Sequence, residues 1–328
     1  MAWCQSGILM KLADSIGPSG KTIVNKYAFI IFARDKEKYV ARAMRSAFGQ
    51  THKGFEIVVS YQESQDKTWD VIQQEAADYR GENPLTILKC PIVKWKGMPG
   101  LNQHLNWIVE NVDATHFIAC AADDFSLPTR VAKTVDAFEK HSPSMVATGM
   151  YFADPCEKDG IKYGGENGYP EADGWVRYED IFPRYIGGST TQAWTREFYE
   201  KIGGLDGVGS PDIVMPFLAC LDKGLYYLNE RLHTYCRIVG VNNTGLQSVM
   251  DAYDEGSKER LAVEELIHFQ VLTGIYTCLG KGEKAGLITT LEQRGALLEP
   301  IGDRLASWVN VRQRMTFEDV QPLKFKAL

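Results

Sequence analysis

The chain of 328 residues is 45% hydrophobic and 24% charged, which is enough apolar material for a full core in one large domain with an appendage. A formal net charge of -6 and a pI near 5.6 exclude a general attraction for phosphate backbones or anionic membrane surfaces. The opening residues lack the basic and apolar stretches of a signal peptide, no apolar run reaches spanning length, and the seven cysteines contain no C-x-x-C pair, so a cytoplasmic protein with reduced thiols is expected.

In chain order, Gly17-Pro-Ser-Gly-Lys-Thr22 has the tail of a phosphate-binding loop. Ser15 stands where the first glycine belongs, however, and the stretch precedes a strand instead of following one. From Tyr27 onward, short β-rich runs alternate with helical periods, the pattern of a mostly parallel sheet flanked by helices. Strands are expected at 27–32, 55–60, 85–89, 115–120 and 145–152. Between them Tyr39, Val40, Ala43, Met44, Ala47 and Phe48 recur at helical spacing, as do Trp69, Ile72, Ala76 and Tyr79, then Leu101, Leu105, Ile108 and Val109. A fourth helix is expected near Pro128, with Val131, Val135 and Phe138 turned inward. The stretch 155–183, rich in Gly, Pro, Asp and aromatic residues, has no period and reads as a long functional loop. Beyond 251 the pattern turns helical, through Leu261, Glu265 and His268 and then over 285–298 and 302–309.

Open α/β sheets bind ligands beyond the carboxyl ends of their strands, so the segments after Phe32, Ser60, Lys89 and Cys120 are expected to line one crevice. Asp123 and Asp124 follow the apolar run Phe117-Ile-Ala-Cys120 at that edge. Adjacent carboxylates repel unless a cation or hydrogen bonds compensate them, and a hard divalent ion shared with a diphosphate is one natural compensation. A plain turn or helix cap is the other. Ser210-Pro-Asp212 reads as a helix start, where the dipole keeps a carboxylate ionised.

These features occur as an ordered set. Phe29-Ile-Ile-Phe-Ala-Arg-Asp-Lys36, Tyr39 through Gln50-Thr51, Phe55-Glu-Ile-Val-Val59, Ser64-Gln-Asp66-Lys-Thr68, Lys96-Gly97, Asn106 and Ala122-Asp123-Asp124 together resemble the nucleotide-sugar half of family 2 GT-A glycosyltransferases. Gly188 through Arg196, Phe198 through Asp206, Ser210-Pro-Asp212 and Tyr235-Cys-Arg237 resemble the acceptor half. The resemblance implies a Rossmann-like GT-A domain over 1–250, with a nucleotide-sugar half at 27–152, an acceptor half at 153–250 and a helical extension over 251–328. It also implies inverting transfer of a sugar from a nucleotide donor, a UDP-sugar, to an acceptor hydroxyl. Asp123 and Asp124 would hold Mn²⁺ or Mg²⁺ against the diphosphate, and Asp212 would act as general base. Phe32, Ala33, Arg34, Gln62, Asp66, Lys96, Gly97, Asn106 and Ala122 would form the donor pocket. Tyr163, Tyr169 and Trp175 are candidates to stack on a ring-shaped acceptor, or to pack beneath a loop.

Three positions depart from the family's pattern. Tyr61-Gln62 stands where paired aspartates usually follow the second strand, so the donor base would meet an amide. Ala121 replaces the first acid of the Asp-x-Asp-Asp pattern, and Val239 stands where a histidine often follows the late Tyr-Arg. These losses leave open a non-catalytic nucleotide- or sugar-binding module on the same scaffold. A nucleotidyltransferase is the third reading, although Phe32-Ala-Arg-Asp-Lys36 is not the glycine-rich loop it would want. The acceptor class stays open among glycan, small molecule, protein and modified nucleic acid.

Overall fold

The computed structural model describes residues 15–16, 22–23, 25–91, 98–154, 162–166, 172–181, 189–206, 208, 211–236, 257–258, 260–261, 274 and 276–298. After a short antiparallel pair, β1 (Ser15–Ile16) with β2 (Thr22–Ile23), the chain alternates strand and helix. The order is β3 (Tyr27–Ala33), α1 (Val40–Phe48), β4 (Glu56–Gln62), α2 (Thr68–Asp78), β5 (Leu85–Cys90), α3 (Met98–Asn111), β6 (His116–Ala121), β7 (Phe125–Ser126), α4 (Arg130–His141) and β8 (Met145–Asp154). Next come β9 (Lys162–Glu166), β10 (Gly174–Val176), α5 (Tyr178–Ile181), β11 (Gln192–Thr195), α6 (Arg196–Lys201), α7 (Pro211–Leu221), β12 (Leu225–Cys236) and a helix at Leu291–Leu298. Among the described residues ten strands form one sheet with the path β10-β12-β8-β11-β6-β3-β4-β5, off which β7 pairs with β12 and β9 with β8.

The sheet is parallel through β6, β3, β4 and β5 and again between β8 and β12, while β11 runs antiparallel between the two blocks. It is buried on both faces, which is why β3 is a continuous apolar run, Tyr-Ala-Phe-Ile-Ile-Phe-Ala. Successive residues of that strand point to opposite cores. Phe29 and Ile31 pack with Val40 and Ala43 of α1, Ile72 of α2 and Val131 of α4. Ala28 and Ile30 pack with Leu105 of α3, Phe198 of α6 and Val214 of α7. The residues after β12 join this second core through Cys278, Leu279, Leu287 and Ile288. Lys281 Nζ donates to the carbonyls of Ile202, Gly203 and Gly204 at 3.2, 3.2 and 2.9 Å, where a cation suits the carboxyl end of α6.

The five strands and four helices expected from Tyr27 to 152 are present. The stretch 155–183 differs from its reading as loop, since it contributes β9, β10 and α5, and two of these are edge segments too short to show a period. Sequence reading also passed over β11 and β12. The second is the longest strand among the described residues, and register shifts between Leu228 and Arg231 and between Arg231 and His233 break the alternation that would have revealed it. Of the helical tail, Leu261 is helical and buried, whereas Glu265, His268 and 302–309 lie outside the described residues.

Candidate active site

Phe32 faces Ala121 across the β3–β6 ladder and Ala33 faces Tyr61 across β3–β4, so β3, β4 and β6 end at a common edge. The chain turns there at once. Ala122 N donates to Phe32 O at 3.2 Å and Asp124 N to Ala121 O at 3.1 Å. Phe32, Ala33, Arg34, Gln62, Ala122, Asp123 and Asp124 are thus gathered at the carboxyl edge, where a doubly wound sheet opens its crevice.

The two aspartates meet different surroundings. Asp124 is buried, and both of its oxygens are engaged: Oδ1 accepts from Cys236 N at 2.9 Å, and Oδ2 lies 3.1 Å from Nε2 of His233. His233 Nδ1 lies 2.9 Å from the guanidinium of Arg130, a pure donor, so Nδ1 accepts and Nε2 carries the proton toward Asp124. Arg130 is fully buried and also donates to Ser126 Oγ at 2.8 Å and Thr190 O at 2.7 Å. Burial pushes the Asp124 carboxyl up to about 6 against the pull of the Cys236 N–H. Burial, with the Arg130 charge beside it, holds His233 well below the usual imidazole range and keeps the ring neutral. A buried chain Arg130–His233–Asp124 therefore ties β12 to the turn.

Asp123 sits at the mouth. Its Oδ2 is 2.9 Å from Lys36 Nζ, with 8% of the Asp123 side chain and 13% of the Lys36 side chain exposed. Burial and then the Asp124 charge raise its carboxyl, and Lys36 opposes them. Arg42 of α1 donates to the Asp123 carbonyl at 2.9 Å and lies over the Phe125 ring, 4.6 Å from its centroid. Gln50 secures the segment beyond the turn, because its amide donates to Leu127 O and accepts from Val131 N, both at 2.9 Å, joining the end of α1 to the start of α4.

Other expected donor residues serve the framework. Asp66 accepts from Glu37 N at 3.0 Å and Thr68 N at 2.9 Å, which caps α2 and grips the loop after β3. Asn106 accepts from Tyr199 Oη at 2.6 Å and Leu205 N at 2.9 Å and donates to Asp206 at 2.7 Å, bracing the turn after α6. The approach is close: Gly204 has φ +62, and a Cβ there would stand 2.7 Å from Asn106 Oδ1. Asp212 is half-buried in the first turn of α7, behind Pro211. That helix ends at the opposite edge of the sheet, where Ser144 Oγ, just before β8, donates to Asp222 at 2.5 Å, and its axis is about 15 Å long.

Trp175, half-exposed, pairs with Tyr226 at the start of β12, seven residues and roughly 20 Å of strand from His233. Its ring meets Tyr226 and His141 edge-on, at 5.5 and 6.1 Å between centroids. Lys96, Gly97 and Tyr169 lie outside the described residues, as does the side chain of Tyr163. Sequence reading missed Lys36, Arg42, Arg130 and His233. A lysine directly after a crevice strand was a usable signal for the first. Arg130 and His233 meet across 103 positions, and no local pattern announces that.

A mostly parallel sheet flanked by helices, with an antiparallel strand joining its two parallel blocks, is the architecture of the GT-A fold. The glycosyl transferase family 2 profile matches residues 28–191, half of the chain. The protein belongs to glycosyltransferase family 2. Among solved structures it is similar to residues 1–349 of S. aureus TarS in complex with UDP, at 13% identity and a TM-score of 0.53, covering 90% of this chain and 89% of that one. The complex of the same fragment with UDP-GlcNAc matches at 14% identity and a TM-score of 0.51, over 88% and 84%. GalNAc-T7 with UDP, GalNAc and Mn²⁺ matches at 14% identity and a TM-score of 0.56, over 86% and 57%. Against the longer TarS structure the chain spans about half, 54%. No curated protein matches the sequence. Among the described residues no helix is long and apolar enough to cross a membrane.

Proposed function

We propose that the protein transfers a sugar from a uridine nucleotide donor to an acceptor hydroxyl by a single displacement, with inversion at the anomeric carbon. The observation that carries this reading is the Asp123 carboxylate at the mouth of the parallel-strand crevice of a family 2 chain. The uridine nucleotides in the TarS and GalNAc-T7 structures support the choice of donor. The donor set fits a hard divalent ion, because such an ion takes one or two carboxylates and completes its shell with substrate phosphate and water. Asp123 would hold it, and Asp124 acts through the turn that it anchors. When bound, Mn²⁺ or Mg²⁺ supplies positive charge for the departing diphosphate. Gln62, buried at the end of β4, would offer its amide to the edge of the donor base. Asp212 takes the acceptor proton, in a helical first turn that favours its ionised form. A cytoplasmic enzyme acting on a soluble or peripherally held acceptor agrees with the composition.

The test is Asp212→Asn. A base that acts only on the acceptor contributes in the transition state and little to donor affinity. Transfer should therefore fall by at least ~10², with UDP-sugar binding near wild type by calorimetry. A normal transfer rate would move the base to another residue. Absence of both transfer and donor hydrolysis in the wild type, with donor still bound, would instead favour the non-catalytic module that the lost acids at Ala121 and Gln62 suggest.

A further inference from the structure

Lys36 is held with more care than a surface lysine needs. Each residue from 35 to 37 is clasped by the loop after β4. Asp35 N donates to Ser64 Oγ at 2.9 Å and Gln65 N to Asp35 Oδ1 at 2.8 Å; Lys36 N donates to Thr68 Oγ1 at 2.6 Å. Glu37 N donates to Asp66 at 3.0 Å, and Lys67 N returns a bond to Glu37 at 3.0 Å. Asp35 itself has φ 51, a left-handed conformation costly for a residue with a Cβ and kept only where the surroundings impose it. The result is that the Lys36 ammonium reaches Asp123 at 2.9 Å, in a nearly closed contact.

The charge balance makes this arrangement consequential. Among the described residues three protein cations, Lys36, Arg42 and Arg130, face the two carboxylates Asp123 and Asp124, so the turn is compensated before any ion arrives. Among the described residues no three His, Cys, Asp or Glu side chains gather to hold an ion by themselves. An ion approaching Asp123 alone must displace an ammonium and gains one carboxylate. An ion arriving with a diphosphate brings its remaining ligands and offers the ammonium a new anion. Lysine suits such a transfer, being a compact charge on a flexible stem.

We propose that Lys36 is the resident counter-ion of Asp123 and passes to the donor's phosphate oxygens when the divalent ion takes its place, so that ion and nucleotide load together. The proposal rests on the donor reading above. Its test uses the full chain, with Mn²⁺ followed by electron paramagnetic resonance and UDP by calorimetry, and needs no turnover. Lys36→Met keeps the stem and removes the charge. Without nucleotide, it should bind Mn²⁺ at least tenfold more tightly than wild type, and the gain should vanish in the double variant with Asp123→Asn. At saturating Mn²⁺, it should bind UDP at least tenfold more weakly, with Lys36→Arg restoring most of the loss. Lys36→Gln repeats each arm if the methionine variant is unstable. Equal Mn²⁺ affinity in wild type and variant, a gain that survives Asp123→Asn, or unchanged UDP affinity at saturating Mn²⁺ would each overturn the proposal. If wild type binds neither UDP nor any other nucleotide, the donor reading fails, and the Mn²⁺ comparison alone then decides whether Lys36 guards Asp123.

Discussion

The two flanks of the Asp123-Asp124 turn are held by opposite means. On the side of β3 and β4 the grip is a clasp of backbone amides on half-exposed side chains, Asp35, Glu37 and Asp66 among them, and it ends in a lysine poised on Asp123. On the side of β12 the grip is the buried chain of Arg130, His233 and Asp124, closed to solvent and satisfied on both ring nitrogens. A ligand can exchange with the first kind of contact and not with the second. Two neighbouring carboxylates of one sequence motif thus divide the work: one meets what enters the crevice, and the other keeps the crevice in shape.

The largest effect that would break this comparison is on stability. Asp124→Asn should cost about 3–5 kcal/mol, because it leaves the buried Arg130 charge without the carboxylate that balances it through His233. The amide is no substitute, because Arg130 fixes the imidazole tautomer, and an Asn at 124 must leave either the Cys236 N–H or the His233 Nε2–H unsatisfied if its nitrogen faces them. Asp123→Asn keeps an oxygen that can accept from Lys36 in this nearly closed contact and loses only the charge, so it should cost less, about 1–3 kcal/mol. Urea denaturation of the two variants measures both. Equal losses would mean that the two carboxylates are held alike.

How much of this was legible in the sequence obeys the same division. The parallel block announced itself because each element is local: Val40, Ala43, Met44 and Ala47 form one helical face, and Tyr27 to Ala33 is an apolar run of strand length. The position of Asp123 and Asp124 beyond an apolar strand was likewise readable, as was the ordered resemblance to family 2. Which aspartate faces the crevice was not, since Asp124 is neutralised by residues 109 and 112 positions away. Asp66 and Asn106 were readable as polar residues near a crevice, yet their bonds to Glu37 and to the turn at Tyr199 to Asp206 arise only once the helices dock. The bulges of β12 hid the strand that carries His233.

A second measurement sharpens the contrast through pH. His104 of α3 reaches Ser60 of β4 at 2.7 Å in the core behind the clasped flank, and burial, aided by the Arg34 charge, brings its imidazole down to about 4. Between that value and an unfolded value near 6.5 the unfolded chain binds more protons, so stability rises with pH across this window and is lost on acidification. His104→Asn should flatten the slope of unfolding free energy between pH 4 and 6.5 by up to about 1.4 kcal/mol per pH unit, whatever its effect on the absolute value. His116, brought to about 4 by burial, keeps part of the slope in the variant. An unchanged slope would mean that His104 is already protonated in the fold, with Ser60 accepting from it.

The smallest expected effect tests the clasp itself. Asp35 combines two demands, a left-handed backbone at φ 51 and an Oδ1 that accepts from Gln65 N at 2.8 Å. Asparagine meets both, since it tolerates the left-handed region and its amide oxygen can accept the same bond, so Asp35→Asn should stay within about 0.5 kcal/mol of wild type. Glycine meets the first demand and loses the second, and should cost about 0.5–1.5 kcal/mol for the hydrogen bond. Alanine meets neither, and the conformational penalty adds to the lost bond, for about 2 kcal/mol. The order Asn, Gly, Ala is more telling than any one value, because it separates backbone geometry from side-chain bonding at a single position. Thermal or urea unfolding of the three variants gives that order, and alanine as stable as asparagine would mean that residue 35 is not clasped and that Lys36 reaches Asp123 without it.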